Sequence, residues 1–218
     1  DQFALASQQK YAQAKQEGKW EQEIVPVEIS QKGGIVSIVD DEHPRATSLE
    51  KLAALAPAFK KEGTVTAGNS SGINDGASAL LLASEEAVKK YNLTPMARVV
   101  SMAVTGVDPS VMGIGPVSAT KLALQKAGVT LNDLDLIELN EAFASQSLAC
   151  IQELKLDPAR VNVNGGAIAI GHPLGCSGAR ISTTLLYELS RRKNKLGLAT
   201  MCVGVGQGAA VIYESLQG

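Results

Sequence analysis

Four apolar runs of strand length set the narrowest limits on the fold: "ARVVSMAVTG" (97–106), "DLIEL" (135–139), "LGLATMCVG" (196–204) and "GAAVIYE" (208–214). The intervals between them carry helical periodicity. Residues 116–127 form one such stretch, closed by Gly128. In "NEAFASQSLACIQEL" (140–154), Ala144, Leu148 and Ile151 share a side. "SGARISTTLLYELSRR" (177–192) ends in the basic residues that a helix dipole favours. "VGQG" (205–208) joins the last two runs as a hairpin signal. Strands alternating with helices bury both faces of a sheet, so the expected class is α/β. The composition suits it: 45% hydrophobic but only 4% aromatic, with 21 glycines, so helices can lie close on a sheet.

The first half is less regular. "EIVPVEI" (23–29) and "GIVSIVD" (34–40) read as strands joined by "SQKGG". "TSLEKLAALAPAF" (47–59) reads as a helix, with Thr47 and Glu50 in a capping box and Leu49, Leu52, Leu55 and Phe59 on one face. Residues 64–84 read as a short strand, a Gly/Asn/Ser loop and a buried apolar run at 77–83, followed by a helix over 84–91. Turn chemistry in "NLTPM" (92–96) marks a boundary. Phe3, Ser7, Tyr11 and Ala14 fall on one face of a helix that stops near Gly18. That pattern is already running at Asp1, with no Met before it, so the expectation is a fragment, a processed product or a subunit of a larger design.

Several function classes are disfavoured. A net charge of −2 provides no basic footprint for nucleic acid. No apolar run is long enough to span a membrane, and no signal peptide is visible. Cys150, Cys176 and Cys202 lack metal-type CxxC spacing, so no metal site is expected. An odd cysteine count without a secretion signal argues for reduced thiols. The expected location is cytoplasmic or another reducing compartment, mitochondrial or peroxisomal.

"GGAIAIGHPLGCSGAR" (165–180) sets His172, one of two histidines in the chain, among five glycines. Asn140 follows "DLIEL", and Cys202 lies near the end of "LATMC". In open α/β sheets, strand ends and helix starts converge on one rim where ligands bind. Asn, His and Cys together can orient, polarise and transfer protons. The Cys202 sulfur and the Gly204 N–H could reach one reacting group together, an oxyanion-hole arrangement. Each residue also has a plainer reading: a satisfied structural histidine, a glycine loop that cradles an anion, a small core cysteine, an Asn at a helix N-cap.

"NEAF" (140–143), "NVNGGAIAIGHPLGCSGAR" (162–180), "CVGVGQG" (202–208) and "TVTAGNSSGINDGA" (64–77) resemble, in family order, signature motifs of the thiolases, and most of all the degradative 3-ketoacyl-CoA type. The resemblance implies a layered α/β/α fold. In this chain it would comprise the second half of a CoA-binding loop domain (1–73), the last strand and helix of an N-terminal domain (74–94) and a C-terminal domain (95–218). It implies thiolytic cleavage of a 3-ketoacyl-CoA by CoA, or the reverse condensation, through an acyl-cysteine, with no prosthetic group and with CoA and acyl-CoA as substrates. His172 matches the residue that activates the nucleophile and donates to the thioester oxygen. Asn140 matches the one that holds a water in the same hole. Cys202 matches the proton carrier, and Gly204 the donor of a backbone N–H. Ser71 matches a pantetheine contact, Arg45 a residue near the nucleotide end, and Met112, Ala142 and Phe143 the tunnel lining. The family's acylated cysteine lies in a half that precedes "DQFALASQQK". Neither Cys150, within a helix, nor Cys176, one helical turn past His172, has the setting of a nucleophile. The implied partner is that N-terminal half, in a homo-oligomer, dimer or tetramer, of the complete enzyme. Two other readings are a thiolase-like CoA-binding protein without thiolysis, and an assembly subunit with a vestigial pocket.

Overall fold

In the computed structural model, which describes residues 1–217, α1 (Gln2–Gln16) buries Ala4, Ser7, Tyr11 and Ala14. Phe3, expected on that face, is only half-buried beside Ala4. Gly18 takes φ +70 just past the helix, a left-handed turn that glycine allows without strain. β1 (Val27–Gln31) pairs with β2 (Gly34–Ile38) in an antiparallel hairpin exposed along nearly its whole length. The first strand begins at residue 27 rather than 23, directly after Pro26, which has no N–H for a ladder. The expected helix over 47–59 shortens to α2 (Leu49–Ala53). Pro57 excludes helical geometry from the residue before it, which leaves Phe59 exposed. The cap is Ser48, whose hydroxyl accepts from the Lys51 N–H, and not Thr47.

α3 (Glu85–Tyr91) leads into the main body. β3 (Ala97–Gly106) is followed by a 3₁₀ segment over Pro109–Ile114, then α4 (Gly115–Ala127), β4 (Leu136–Leu139), α5 (Ala144–Leu154), the short α6 (Ala167–Ile170), α7 (Ser177–Arg192), β5 (Leu196–Val203) and β6 (Gln207–Ser215). The four strands form one sheet in the order β3-β6-β5-β4, antiparallel except for the β4–β5 pair.

Alternation along the strands divides the core into two layers. Ile137, Leu139, Leu198 and Ile212 point to one face and pack with Ala119 and Ala123 of α4 and Cys150 and Leu154 of α5. Leu136, Ala199 and Tyr213 point to the other and pack with Ile181, Leu185 and Leu189 of α7. Both faces of β4 are therefore covered and all four of its residues are buried, although it is the last strand of the sheet, because α4 and α5 pack on one face and α7 on the other. On α5 the buried side runs through Ala144, Ser147, Cys150 and Leu154, while Leu148, expected on it, is exposed.

Residues 77–83 correct a further expectation. They form neither a paired strand nor a buried run: Leu81 is 83% and Leu82 79% exposed. An apolar run becomes a strand only when a ladder and a covering layer are available, and among the described residues no strand pairs with this run.

Candidate active site

The site is assembled where β4 ends beside β5. Asn140 is the first residue past β4, and its N–H donates to the Thr200 carbonyl at 3.0 Å, which fixes the turn into the following segment. Its side chain is fully buried, with Nδ2 3.2 Å from His172 Nε2 and Oδ1 without a protein partner. Cys202 lies two residues beyond Thr200 on β5, is 4% exposed, and faces Gly208 across the β5–β6 hairpin. Gly204 follows, exposed at the hairpin mouth.

His172 is held from three sides. Gly171 precedes it at φ +106, and a Cβ there would come within 2.4 Å of Asn74 Oδ1, so the close approach of the 71–74 segment depends on that glycine. The His172 N–H donates to the Gly72 carbonyl at 3.1 Å. Nδ1 lies 2.5 Å from the Ser177 hydroxyl at the start of α7. Burial first, and the positive Arg180 second, hold the imidazole below its ordinary pKa, so it is neutral at pH 7. Burial pushes the Cys202 thiol up, so it is protonated there. The imidazole is thus set as a base and the thiol as an acid, the separation of roles that acid–base chemistry needs.

Glu141 ties the site to the front of the chain. Its buried carboxylate accepts from Ser7 of α1 at 2.7 Å, from Asn162 Nδ2 at 2.9 Å and from the Ile168 N–H at 3.1 Å. Burial raises its pKa and these donors oppose the rise. α1 therefore lies directly on the loop that leads to His172.

The other expected residues divide into two groups. Ser71 donates to the Ala142 carbonyl at 3.2 Å, and its N–H donates to the same oxygen at 3.1 Å. Ala142 is buried, and Phe143 stacks edge-on against Phe59 with ring centroids 6.0 Å apart. Met112 is half-buried in the 3₁₀ segment packed between α5 and β5. These four surround the strand ends. Arg45 does not join them: it is exposed, and its backbone N–H donates to Gln8 Oε1. Cys150 is buried, bonded to Gln146 and the Gly113 carbonyl, with its thiol pushed up to about 11. Cys176 is buried at the start of α7, its thiol also raised by burial. All three cysteines are free.

Sequence reasoning missed Ser177, Thr200 and Arg180. The "GCS" after the GHP histidine is the one hint of Ser177; nothing in the sequence points to the others. Two open surface concavities, of about 520 and 490 Å³, lie elsewhere, bounded by Met96 and Tyr187 and by Phe3 and Leu148, so surface hollowness alone does not find this site. Among the described residues no group of three or more His, Cys, Asp or Glu is placed to hold a metal ion, and no helix is long and apolar enough to cross a membrane.

Fold and site together define a layered α/β/α domain with an Asn–His pair and a cysteine at one rim of its sheet. The family models for the thiolase N-terminal and C-terminal domains match residues 1–86 and 93–215. The chain belongs to the thiolase family. It is 54% identical over 216 residues to the mitochondrial 3-ketoacyl-CoA thiolase of Bos taurus, covering 99% of this chain and 54% of that protein. It is 56% identical over 220 residues to the acetyl-CoA acetyltransferase of Syntrophomonas wolfei, covering 99% and 55%. The crystal structure of the Bacillus anthracis acetyl-CoA acetyltransferase superposes with a TM-score of 0.96 at 49% identity, covering 99% of this chain and 55% of that one. Human mitochondrial 3-ketoacyl-CoA thiolase in complex with CoA superposes at 0.90 with 50% identity, covering 99% and 54%. The chain spans about half the length of the relatives it matches.

Proposed function

We propose that this chain supplies the acid–base half of a thiolase, which cleaves a 3-ketoacyl-CoA with CoA or runs the reverse condensation. The observation that carries the reading is the neutral His172, held by Asn140 beside the strand that ends in a protonated Cys202. The acylated cysteine belongs to the half of the family's length that this chain does not span, since Cys150 and Cys176 are buried with raised thiol pKa values.

In the cleavage direction, His172 Nε2 takes the proton of that nucleophile, and the thiolate adds to the 3-keto carbon. His172 then donates to the new oxyanion beside the water that Asn140 holds. The C2–C3 bond breaks, its electron pair goes to C2, and Cys202 protonates C2 to give acetyl-CoA. The Cys202 thiolate next takes the proton of incoming CoA, whose sulfur attacks the acyl-cysteine and releases the shortened acyl-CoA. The Gly204 N–H, at the exposed hairpin mouth, stabilises the thioester enolate formed as the bond breaks. No step needs a prosthetic group.

Residues 1–73 act as the second half of the CoA-binding loop domain, 74–94 as the end of the N-terminal domain and 95–218 as the C-terminal domain. Ser71, Met112, Ala142 and Phe143 line the pantetheine and acyl path, with Arg45 toward the nucleotide. The exposed leucines of 77–83 support a partner that covers them, the N-terminal half within a homo-oligomer, because a monomer seldom leaves such a run bare. The three free thiols suit a reducing compartment, cytoplasmic or organellar. An intact Asn–His–Cys set favours catalysis over a vestigial subunit. Complementing the chain with a polypeptide that carries the nucleophilic cysteine tests the reading: thiolysis of acetoacetyl-CoA appears in the mixture and is lost with His172→Ala. Full activity in the His172→Ala mixture contradicts it.

A further inference from the structure

Ser177 is fully buried as the first residue of α7. Its hydroxyl donates to the Pro173 carbonyl at 3.0 Å, so toward the imidazole the Ser177 oxygen is an acceptor, 2.5 Å from Nδ1. The same carbonyl takes the N–H groups of Cys176 and Ser177, each at 2.9 Å, so the short loop between His172 and α7 closes on one oxygen and Ser177 is anchored with it. On the other side of the ring the Asn140 amide group, a donor, lies 3.2 Å from Nε2. A neutral imidazole carries a single N–H. With the Ser177 hydrogen on the Pro173 carbonyl and Asn140 Nδ2 toward the ring, both contacts favour the same placement: the hydrogen on Nδ1 and the lone pair on Nε2.

We propose that Ser177 is a positioning residue that fixes His172 as the Nδ1–H tautomer and so keeps the Nε2 lone pair turned to Asn140 and the rim. The inference rests on the base role given to His172 above, and it adds the residue that makes the role possible. The reverse tautomer would present an N–H where a proton must be accepted. Because His172 is neutral at pH 7, its tautomer decides what the ring offers there. Thr200 and Gly72 hold backbone groups only, and Arg180 acts on the ring through its charge, so the hydrogen bond that chooses between the nitrogens falls to Ser177.

The test is nitrogen NMR of the ¹⁵N-histidine-labelled chain without substrate. There are two histidines, and a His43→Gln variant assigns their signals. The expected wild-type pattern at neutral pH is a protonated Nδ1 and a pyridine-type Nε2 on His172. Ser177→Ala should shift the ratio of the two tautomers toward Nε2–H by about tenfold or more, the weight of one hydrogen bond to a buried group. Ser177→Thr, which keeps the hydroxyl, should retain the wild-type pattern. A wild-type His172 with its hydrogen on Nε2 overturns the proposal and needs no variant to fold. So does an unchanged Nδ1–H population in Ser177→Ala. The spectrum is read without turnover, so failure of the thiolase reading shows in the complementation assay and failure of this one in the nitrogen signals.

Discussion

Raising the pH should destabilise this chain through one carboxyl, and Glu138→Gln should abolish that part of the loss. Glu138 sits on β4 two residues before Asn140 and is fully enclosed between the sheet and α7. The cation nearest it is Arg180, whose Nη1 lies 3.8 Å from Oε2, beyond hydrogen-bond distance, with Lys10 acting from further off; that oxygen and Arg180 Nε and Nη1 are all left without partners. Burial therefore outweighs attraction, and the carboxyl is raised from about 4.5 to about 8. The sign follows from linkage. The unfolded chain loses this proton near 4.5 and the folded chain keeps it until about 8, so the contribution is complete below the lower value and is lost as pH rises through the upper one. Between about pH 5.5 and about pH 8, roughly two and a half units at about 1.4 kcal/mol each, the loss is about 3 kcal/mol. Urea unfolding of wild type and Glu138→Gln across that range, followed by the buried single tryptophan Trp20, gives the difference directly. Shifted groups that do not act on Glu138, such as Asp41, are common to both proteins and cancel in it, while Glu141 and Glu23, which raise Glu138 through their charge, change with it and belong to the same difference. The Gln variant should gain about 3 kcal/mol relative to wild type as pH rises. A difference that stays constant, or that moves toward wild type, would refute the reasoning and make Glu138–Arg180 a working ion pair.

Two further outcomes are expected. In the complemented enzyme, Cys202→Ser should still form the acetyl adduct from acetyl-CoA but lose carbon–carbon bond formation by about a hundredfold, because a hydroxyl cannot trade a proton with C2 near neutral pH; intact mass beside an assay of acetoacetyl-CoA formation separates the two, and equal loss of both steps contradicts the division of labour. Val205 sits at φ +58 in the β5–β6 turn with its side chain 83% exposed, so Val205→Gly should stabilise the chain by about 1 kcal/mol in urea unfolding, the strain of a β-branched residue in left-handed geometry.

Legibility in the sequence followed how local the decision was. β3 and α7 have the bounds that periodicity predicts, since each is long, patterned and closed by its own neighbours. The 47–59 helix stops at Ala53, short of what its apolar spacing predicts, because Pro57 disfavours helical geometry just before it. Residues 77–83 failed for a different reason: the pattern is that of a buried strand, but burial needs a second surface, and none of the described chain provides it. The Asn140–His172 pair could be found because strand ends in such sheets meet. The Ser177 contact could not, since it depends on how the five-residue step from His172 folds back into α7. Glu138 and Arg180 read as ordinary charges until packing enclosed them.

The most direct measurement is intact mass of both polypeptides after the chain is mixed with one carrying the nucleophilic cysteine and treated with acetyl-CoA. The prediction is one acetyl group on the partner polypeptide, none on Cys150, Cys176 or Cys202, and none anywhere when His172 is replaced by Ala. Stable acetylation of one of this chain's own cysteines, or acetylation of the partner that is indifferent to His172, would contradict it.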